Sequence, residues 1–216
     1  MPVHTLIAPL AAVLAILLAI PSAGSAQTAS PPWAPELSAA VGVGHVFRFE
    51  DESFGTEPNI SVATAIRHSS GWAFEAEANH TFGLTPTPAP CGVYIDGVPV
   101  ACTGSARSGV LQASSVSFNV RYLIARRRVQ PYLMAGLGVL HTRSLSSVTT
   151  VRGGEAFQHD FEKSDTGLGP DLGAGLRVPL TRHASINPEV RWLEGAILGR
   201  ENLAVTRLSV RAAYSW

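Results

Sequence analysis

The sequence has little charge and almost no lysine. Only 15 % of its 216 residues are Asp, Glu, Lys or Arg, whereas about 25 % is typical of soluble domains. Lys163 is the single lysine, and the formal net charge is zero. A chain of this length is expected to form one domain. Without net charge it has no broad attraction for nucleic acid, and the low charge together with 20 glycines is unusual for a cytosolic enzyme.

The longest apolar run lies at the N-terminus. Residues 6–20 read LIAPLAAVLAILLAI, and small residues follow up to Ala26. This order predicts a secretory signal peptide that is cleaved near Ala26. The alternative is an uncleaved anchor helix, although the run is shorter than the roughly 20 residues that a spanning helix prefers. We therefore expect a signal peptide at 1–26, a short N-terminal segment at 27–34 and a single domain at 35–216.

Cysteine is nearly absent as well. The two cysteines, Cys91 and Cys102, occur in the segment PCGVYIDGVPVAC. An exported chain meets an oxidising compartment, and Asp96-Gly97 between the cysteines is a hairpin turn signal. We expect a disulfide that closes a small hairpin within a loop. Neither a metal site nor a cofactor is expected, because no further cysteine or close pair of histidines completes a zinc ligand set.

The mature chain does contain period-2 alternation, the pattern of strands with two different faces. In the last segment one face carries Leu208, Val210, Ala212, Tyr214 and Trp216. The opposite face carries Arg207, Ser209, Arg211, Ala213 and Ser215. Similar alternation predicts an all-β fold of eight strands, near residues 35–49, 58–68, 72–83, 110–125, 129–143, 166–180, 184–194 and 203–216.

The connections between these strands alternate between short and long. Such a meander is typical of an eight-stranded antiparallel up-and-down transmembrane β-barrel, with short turns at one end and long loops at the other. Aromatic residues near strand ends suit the headgroup region of a membrane, and the apolar face carries Trp72, Tyr122, Trp192, Tyr214 and Trp216 there. The alternative is a soluble β-barrel, which would present lysine and glutamate on a solvent-facing surface.

The C-terminal segment LSVRAAYSW resembles the C-terminal signal of outer-membrane barrels. In that family the last strand alternates apolar residues and ends in an aromatic residue, a pattern matched by Leu208, Val210, Tyr214 and Trp216. Phenylalanine is the usual last residue there, so Trp216 departs from the pattern. The segments PYLMAGLGVLH, GPDLGAGLRVPL and INPEVRWLEG also resemble strands of the outer-membrane β-barrel domain family, the OmpA/OmpX-like small barrels. The resemblance covers the chain from about residue 35 and implies a bacterial outer-membrane location and assembly by the barrel-assembly machinery.

Charged residues on the polar face form a candidate interior network. An eight-stranded barrel is just wide enough for side chains to fill its lumen. Opposite charges at one depth should pair, and arginine can do so bidentately. We therefore expect a closed interior, with an ion-selective pore as the alternative. The predicted network comprises Glu75, Glu77, Arg121, Asp171, Arg177, Glu189, Arg191, Arg207 and Arg211.

Two His–Ser pairs raise the question of catalysis. His183 and Ser185 in RHASINPE resemble the pair of a lipid A deacylase subgroup, and His68 with Ser70 offers a second pair. A nucleophile and its base would have to lie at the outer-leaflet end with an orienting carboxylate. Both pairs fall at short periplasmic turns instead, so we expect no catalytic residues. Three further histidines lie near the loop ends of their strands, namely His45, His80 and His141. They could form a metal patch, and the alternative is that they are ordinary interfacial histidines.

The long loops are where a specific function is expected. The segment 84–109 is proline-rich and contains the predicted disulfide, and the segment 144–165 is long with a charged end. We expect a structural or surface-interaction role through these loops, toward a surface ligand or toward the lipids and lipopolysaccharide of the outer membrane. The alternatives are passive shielding loops, a narrow pore for ions or small solutes, and a lipid A-modifying enzyme.

Overall fold

The structure, a computed structural model, describes residues 32–48, 52–84, 92–95, 98–101, 106–125, 128–152, 155–195 and 203–216. Ten strands lie in these segments. They are β1 (Trp33–Arg48), β2 (Glu52–His68), β3 (Trp72–Leu84), β4 (Gly92–Ile95), β5 (Val98–Ala101), β6 (Ala106–Leu123), β7 (Gln130–Arg152), β8 (Glu155–Pro179), β9 (Ala184–Glu194) and β10 (Leu203–Ser215).

Eight of these strands form one closed antiparallel barrel, in the order β1-β10-β9-β8-β7-β6-β3-β2. The barrel closes because β1 pairs with β2 on one side and with β10 on the other. The predicted eight-stranded meander is therefore confirmed. The tight turn from β2 to β3 depends on Gly71, which has a φ of 103°, a region that residues with a side chain rarely adopt. The described residues include no helix long and apolar enough to cross a membrane.

The faces of the barrel have the predicted orientation. Along β9 buried residues alternate with residues that are half-buried or exposed. Large apolar side chains face outward, for example Phe118, which is 67 % exposed, and Leu208, which is 61 % exposed. Charged and polar side chains face the lumen and are buried, as Glu77 and Arg191 show. Only a lipid surrounding makes this arrangement favourable, since burying the charges and exposing the apolar residues would be costly in water.

The prediction of a loop at 144–165 is wrong. β7 and β8 continue to pair through this segment, from Gln130 opposite Arg177 to Arg152 opposite Glu155. Alternation of apolar and polar residues predicts a strand only where one face of the strand contacts lipid and the other face lines the lumen. Beyond the membrane neither face needs to be apolar, so the serine-, threonine- and valine-rich strand ends carry no such signal. β2 and β6 likewise begin at Glu52 and Ala106, earlier than predicted.

The segment 84–109 contains a small hairpin, in which β4 pairs with β5 from Gly92 opposite Ala101 to Ile95 opposite Val98. Asp96 and Gly97 separate the two strands in the sequence, as the turn signal predicts. Cys91 and Cys102 lie outside the described residues, so the disulfide stays a prediction. The signal peptide at 1–26 also lies outside them.

Candidate functional site

The lumen is built from side chains that every barrel strand directs inward. At its short-turn end, Glu36 on β1 accepts bonds from two arginines on other strands. Arg121 Nη2 lies 2.6 Å from Glu36 Oε1, and Arg177 Nη1 lies 2.5 Å from Glu36 Oε2. Each carboxylate oxygen thus has its own cation, and all three side chains are buried.

Glu77 on β3 occupies the centre of the network. Its Oε2 lies 2.5 Å from Arg191 Nη1 and also binds Arg211 Nη2, while its Oε1 lies 2.7 Å from Arg207 Nη1. Its neighbour Glu75 approaches Arg191 at 3.2 Å. One carboxylate therefore connects three arginines of β9 and β10 that lie across the lumen from β3.

The remaining carboxylates complete the pairing. Asp171 Oδ2 lies 2.6 Å from Arg191 Nη2, and Glu189 Oε1 lies 2.8 Å from Arg211 Nη2. Among the described residues, five carboxylates and five guanidiniums are buried, so the buried charges balance. Arg67, on the inward face of β2, is half-buried and adds a further guanidinium. A buried charge left alone would be costly, and within this set each charge has an opposite charge to pair with. The buried set is Glu36, Glu75, Glu77, Asp171, Glu189, Arg121, Arg177, Arg191, Arg207 and Arg211.

Tyr132 on β7 connects the charged network to the barrel wall. Its hydroxyl donates to Glu189 Oε2 at 2.8 Å. The residue directly opposite on β8 is Gly175, and a Cβ at that position would collide with the tyrosine ring. Glycine is therefore required at this position, because the aromatic ring covers the backbone there.

An apolar layer closes the loop end of the lumen. Its six side chains are buried against one another. A hollow of about 10 Å³ remains beside it, lined in part by Leu140, Thr142 and Leu203, and such a volume admits about one water molecule. The apolar layer consists of Val46, Ala113, Leu140, Leu193, Leu203 and Val205.

All nine charges of the sequence-predicted network face the lumen, and each contacts at least one partner. Sequence reasoning missed Glu36, Tyr132 and the apolar layer. The signal for Glu36 was available, since it lies two residues before Ser38 and so shares its inward face. The inward position of Leu140 and Leu193 had no such signal, because apolar residues were expected on the lipid side.

The two His–Ser pairs differ in their geometry. His183 Nδ1 donates to the backbone oxygen of Ser215 at 2.8 Å, whereas the hydroxyl of Ser185 is buried without a partner among the described residues. His68 Nδ1 lies 2.5 Å from the hydroxyl of Ser70, within the β2–β3 turn. No group of three or more potential metal ligands occurs in the described part of the chain. The metal patch considered for His45, His80 and His141 therefore has no structural support there.

The last strand has the form that the C-terminal signal predicts. Leu208, Val210 and Trp216 are exposed on the lipid face. The rings of Tyr214 and Trp216 meet edge to face at 5.4 Å. The backbone N–H of Trp216 donates to the oxygen of Pro35 at 3.2 Å and joins the two ends of the barrel. Recognition of this strand by the assembly machinery stays a prediction.

Comparison with known proteins agrees with this architecture. The family model described as "Outer membrane protein beta-barrel domain" matches residues 11–215. Neisserial surface protein A shares the fold with a TM-score of 0.55 at 13 % identity, over 86 % of this chain and 98 % of that one. Ail, the attachment invasion locus protein of Yersinia pestis, does so with a TM-score of 0.53 at 12 % identity, over 86 % of this chain and 100 % of that one. No curated protein matches the chain.

A further structure shows Ail in complex with the heparin analogue sucrose octasulfate, with a TM-score of 0.51 at 12 % identity, over 86 % of this chain and 100 % of that one. At such identities these structures establish the fold alone. The family model, in contrast, covers nearly the whole chain. With its closed barrel, apolar outer face and charged lumen, this protein belongs to the outer membrane protein β-barrel domain family and is located in the bacterial outer membrane.

Proposed function

We propose that this barrel has a surface-interaction role, carried by the part of its wall that extends beyond the membrane, and that it performs no catalysis. The observation that supports this role is the length of β7 and β8, with 23 and 25 residues. About 10 residues suffice for a strand to cross the bilayer. Among the residues of β7 whose exposure the structure describes, Val139 is the last apolar residue on the outward face, and β7 continues to Arg152. At about 3.3 Å per residue the extension is up to about 40 Å long.

Within the described part of the chain, the extension has an unpaired edge on β8 that suits an extended peptide. β8 pairs with β9 from Asp171 onward, and no described residue pairs with the other side of β8 between Glu155 and Asp165. The backbone N–H and C=O groups along such an edge can receive a further strand. The partner class that fits is a protein segment in extended conformation.

The filled lumen argues against a transport role. The charged network and the apolar layer lie one above the other, and both consist of buried side chains. A narrow pore would need an open path through both. Planar-bilayer recordings test this alternative directly: discrete conductance steps from the purified barrel would favour the pore over the surface role.

The test of the surface role uses a shortened hairpin. Replacing residues 147–160 by Asn-Gly joins Ser146 to Phe161, which are register partners, through a two-residue turn that favours hairpins. A matched control replaces residues 85–105 by a short linker and so removes β4 and β5 while keeping the edge of β8. Each barrel is placed in bilayer nanodiscs, and its fold is checked by heat-modifiability on a denaturing gel.

We expect peptides selected on the intact barrel from a random display library to bind the control and to lose binding to the shortened variant. Peptides that bind the shortened variant equally well would contradict the role of the hairpin edge. Catalysis is tested separately, by mass spectrometry of lipid A from cells that express the chain. A new lipid A species would contradict the non-catalytic assignment without affecting the binding result.

A further inference from the structure

On the outward face of three adjacent strands, a run of apolar residues is followed by a polar residue. On β3, β6 and β7, four outward positions in succession are apolar, and the next one is His80, Ser114 or His141. From Trp72 to His80 the chain advances eight residues, or about 26 Å along the strand. The apolar band of outer-membrane barrels is about 25 Å high. Because barrel strands are tilted by about 35–45°, this length spans about 20 Å of membrane height. On β3 the exposed ring of Phe82, one outward position beyond His80, meets the His80 ring edge to face at 4.7 Å. The row therefore lies near the top of the apolar band, close to the headgroups of the outer leaflet.

The strand register places the row on four adjacent strands. Ser114 lies directly opposite His80 on one side and His141 on the other, and Thr166 lies opposite His141. His80 Nδ1 is 2.8 Å from the hydroxyl of Ser114, and His141 Nδ1 is 2.8 Å from the hydroxyl of Thr166. Each imidazole is thus held through Nδ1 by a hydroxyl of the neighbouring strand.

This arrangement leaves the other nitrogen of each ring available. No described residue bonds to Nε2 of His80 or His141. In the tautomer in which the hydroxyl donates to Nδ1, Nε2 carries the proton and is a donor. Because the two histidines lie two strands apart, these donors are separated by about 10 Å.

A second polar row lies directly beyond the first. Arg143 is opposite Gln112 on β6 and opposite Ser164 on β8. Its Nε lies 2.6 Å from Glu162 Oε1, and both side chains are half exposed. The pair uses Nε, and no described residue bonds to the two Nη nitrogens of Arg143, which remain as donors while the Glu162 carboxylate balances the charge. The nearby carboxylate of Asp165 accepts the backbone N–H of Thr166 at 2.9 Å.

We propose that these two rows form a binding site for the phosphate group of a membrane lipid in the outer leaflet. This boundary site consists of His80, Ser114, His141, Thr166, Gln112, Arg143 and Ser164. It combines a guanidinium, which binds phosphate oxygens in a bidentate manner, with neutral donors on a rigid sheet. Its position at the end of the apolar band commits it to a lipid, because the acyl chains of that lipid would lie on the apolar face below.

The test compares two lipids that differ only in phosphate. The barrel is placed in phosphatidylcholine nanodiscs containing either diphosphoryl lipid A or the same lipid A after dephosphorylation. Binding is measured by native mass spectrometry and by the ¹⁵N signals of the histidine rings. We expect the phosphorylated lipid to bind about tenfold more tightly and to shift the Nε2 signals of His80 and His141.

The variant His80→Gln/His141→Gln/Arg143→Gln should reduce this preference to about twofold or less. The matched control is His45→Gln/Thr206→Val, which removes outward polar groups at the same boundary on β1 and β10, across the barrel from β7. It should keep the full preference. The single variant Arg143→Gln and the ring signals of the wild type give the answer if the triple variant fails to fold.

Equal binding of the two lipids by the wild type would overturn the proposal, and so would a preference that the triple variant keeps. A last experiment uses inorganic phosphate as a competitor. If millimolar phosphate shifts the ring signals as the lipid does and displaces the lipid, the site binds a soluble anion and the membrane lipid is the wrong ligand.

Discussion

The lumen has two parts that are equally buried and held together by different forces. In the charged part each arginine must meet a carboxylate at a defined position, as Arg191 does with Glu77 and Asp171. In the apolar layer Leu140 and Leu193 need only fill space. Both parts occupy inward positions of the same barrel wall, and β1, β6, β9 and β10 contribute to both. The difference shows that a β-barrel wall fixes which residues face inward and leaves open whether hydrogen bonds or packing close the lumen.

The two parts should respond differently to truncation. Removing one partner from the charged part leaves a buried charge unpaired, which costs more than the pair itself contributes. Removing methyl groups from the apolar layer leaves a cavity that neighbours fill only partly. Equilibrium unfolding in urea, followed by tryptophan fluorescence in lipid vesicles, can measure both effects on one scale.

The largest effect is expected for Glu77→Ala. This change leaves Arg191, Arg207 and Arg211 without the carboxylate that connects them. We expect the free energy of unfolding to fall by about 3–5 kcal/mol. Glu189→Ala should cost a similar amount, because Arg211 and Tyr132 both lose a partner.

Glu162→Ala is the matched control, since it breaks an ion pair whose members are half exposed. Because water and salt screen an exposed pair, it should leave the midpoint of urea unfolding nearly unchanged. If Glu77→Ala resembles this control, water reaches the centre of the lumen and solvates the arginines. The contrast between the charged part and the apolar layer would then be wrong.

An intermediate effect is expected for Leu193→Ala in the apolar layer. Leu193 is 1 % exposed and packs within the cluster that closes the loop end. Its truncation should cost about 2–4 kcal/mol through lost contacts and a cavity. Leu193→Met, which nearly conserves the volume, should cost less than about 1.5 kcal/mol. Equal losses from the two variants would mean that this position needs a particular shape rather than filled space.

The smallest effect is expected for Tyr132→Phe, which keeps the ring above Gly175 and removes the hydroxyl that donates to Glu189. A hydrogen bond to a charged group contributes about 1.5–3 kcal/mol, so we expect a loss of about 1.5 kcal/mol. Tyr122→Phe on the outer face should change stability by about 0.5 kcal/mol or less. A loss at Tyr132 no greater than that at Tyr122 would show that packing alone holds the ring.

Part of the site could be predicted from the amino-acid sequence. The nine network charges alternate with apolar residues that must face lipid. Because successive side chains of a strand point to opposite faces, these charges must point inward. Glu36 obeys the same rule, and only its proximity to the expected start of β1 concealed it. The extension of β7 and β8 was missed because strands outside the membrane need no apolar face, and their sequence therefore alternates less.

The alternation along the chain was enough to predict the barrel, its inside and its outside, because each barrel strand presents apolar residues to lipid where it crosses the membrane. Which charges meet follows from the folded barrel alone. Glu77 reaches Arg207 and Arg211, which lie 130 and 134 residues away in the chain. That contact depends on the tilt and stagger with which the strands close the barrel. Stagger sets the depth of each side chain in the lumen, and it arises from the pairing of all eight strands together.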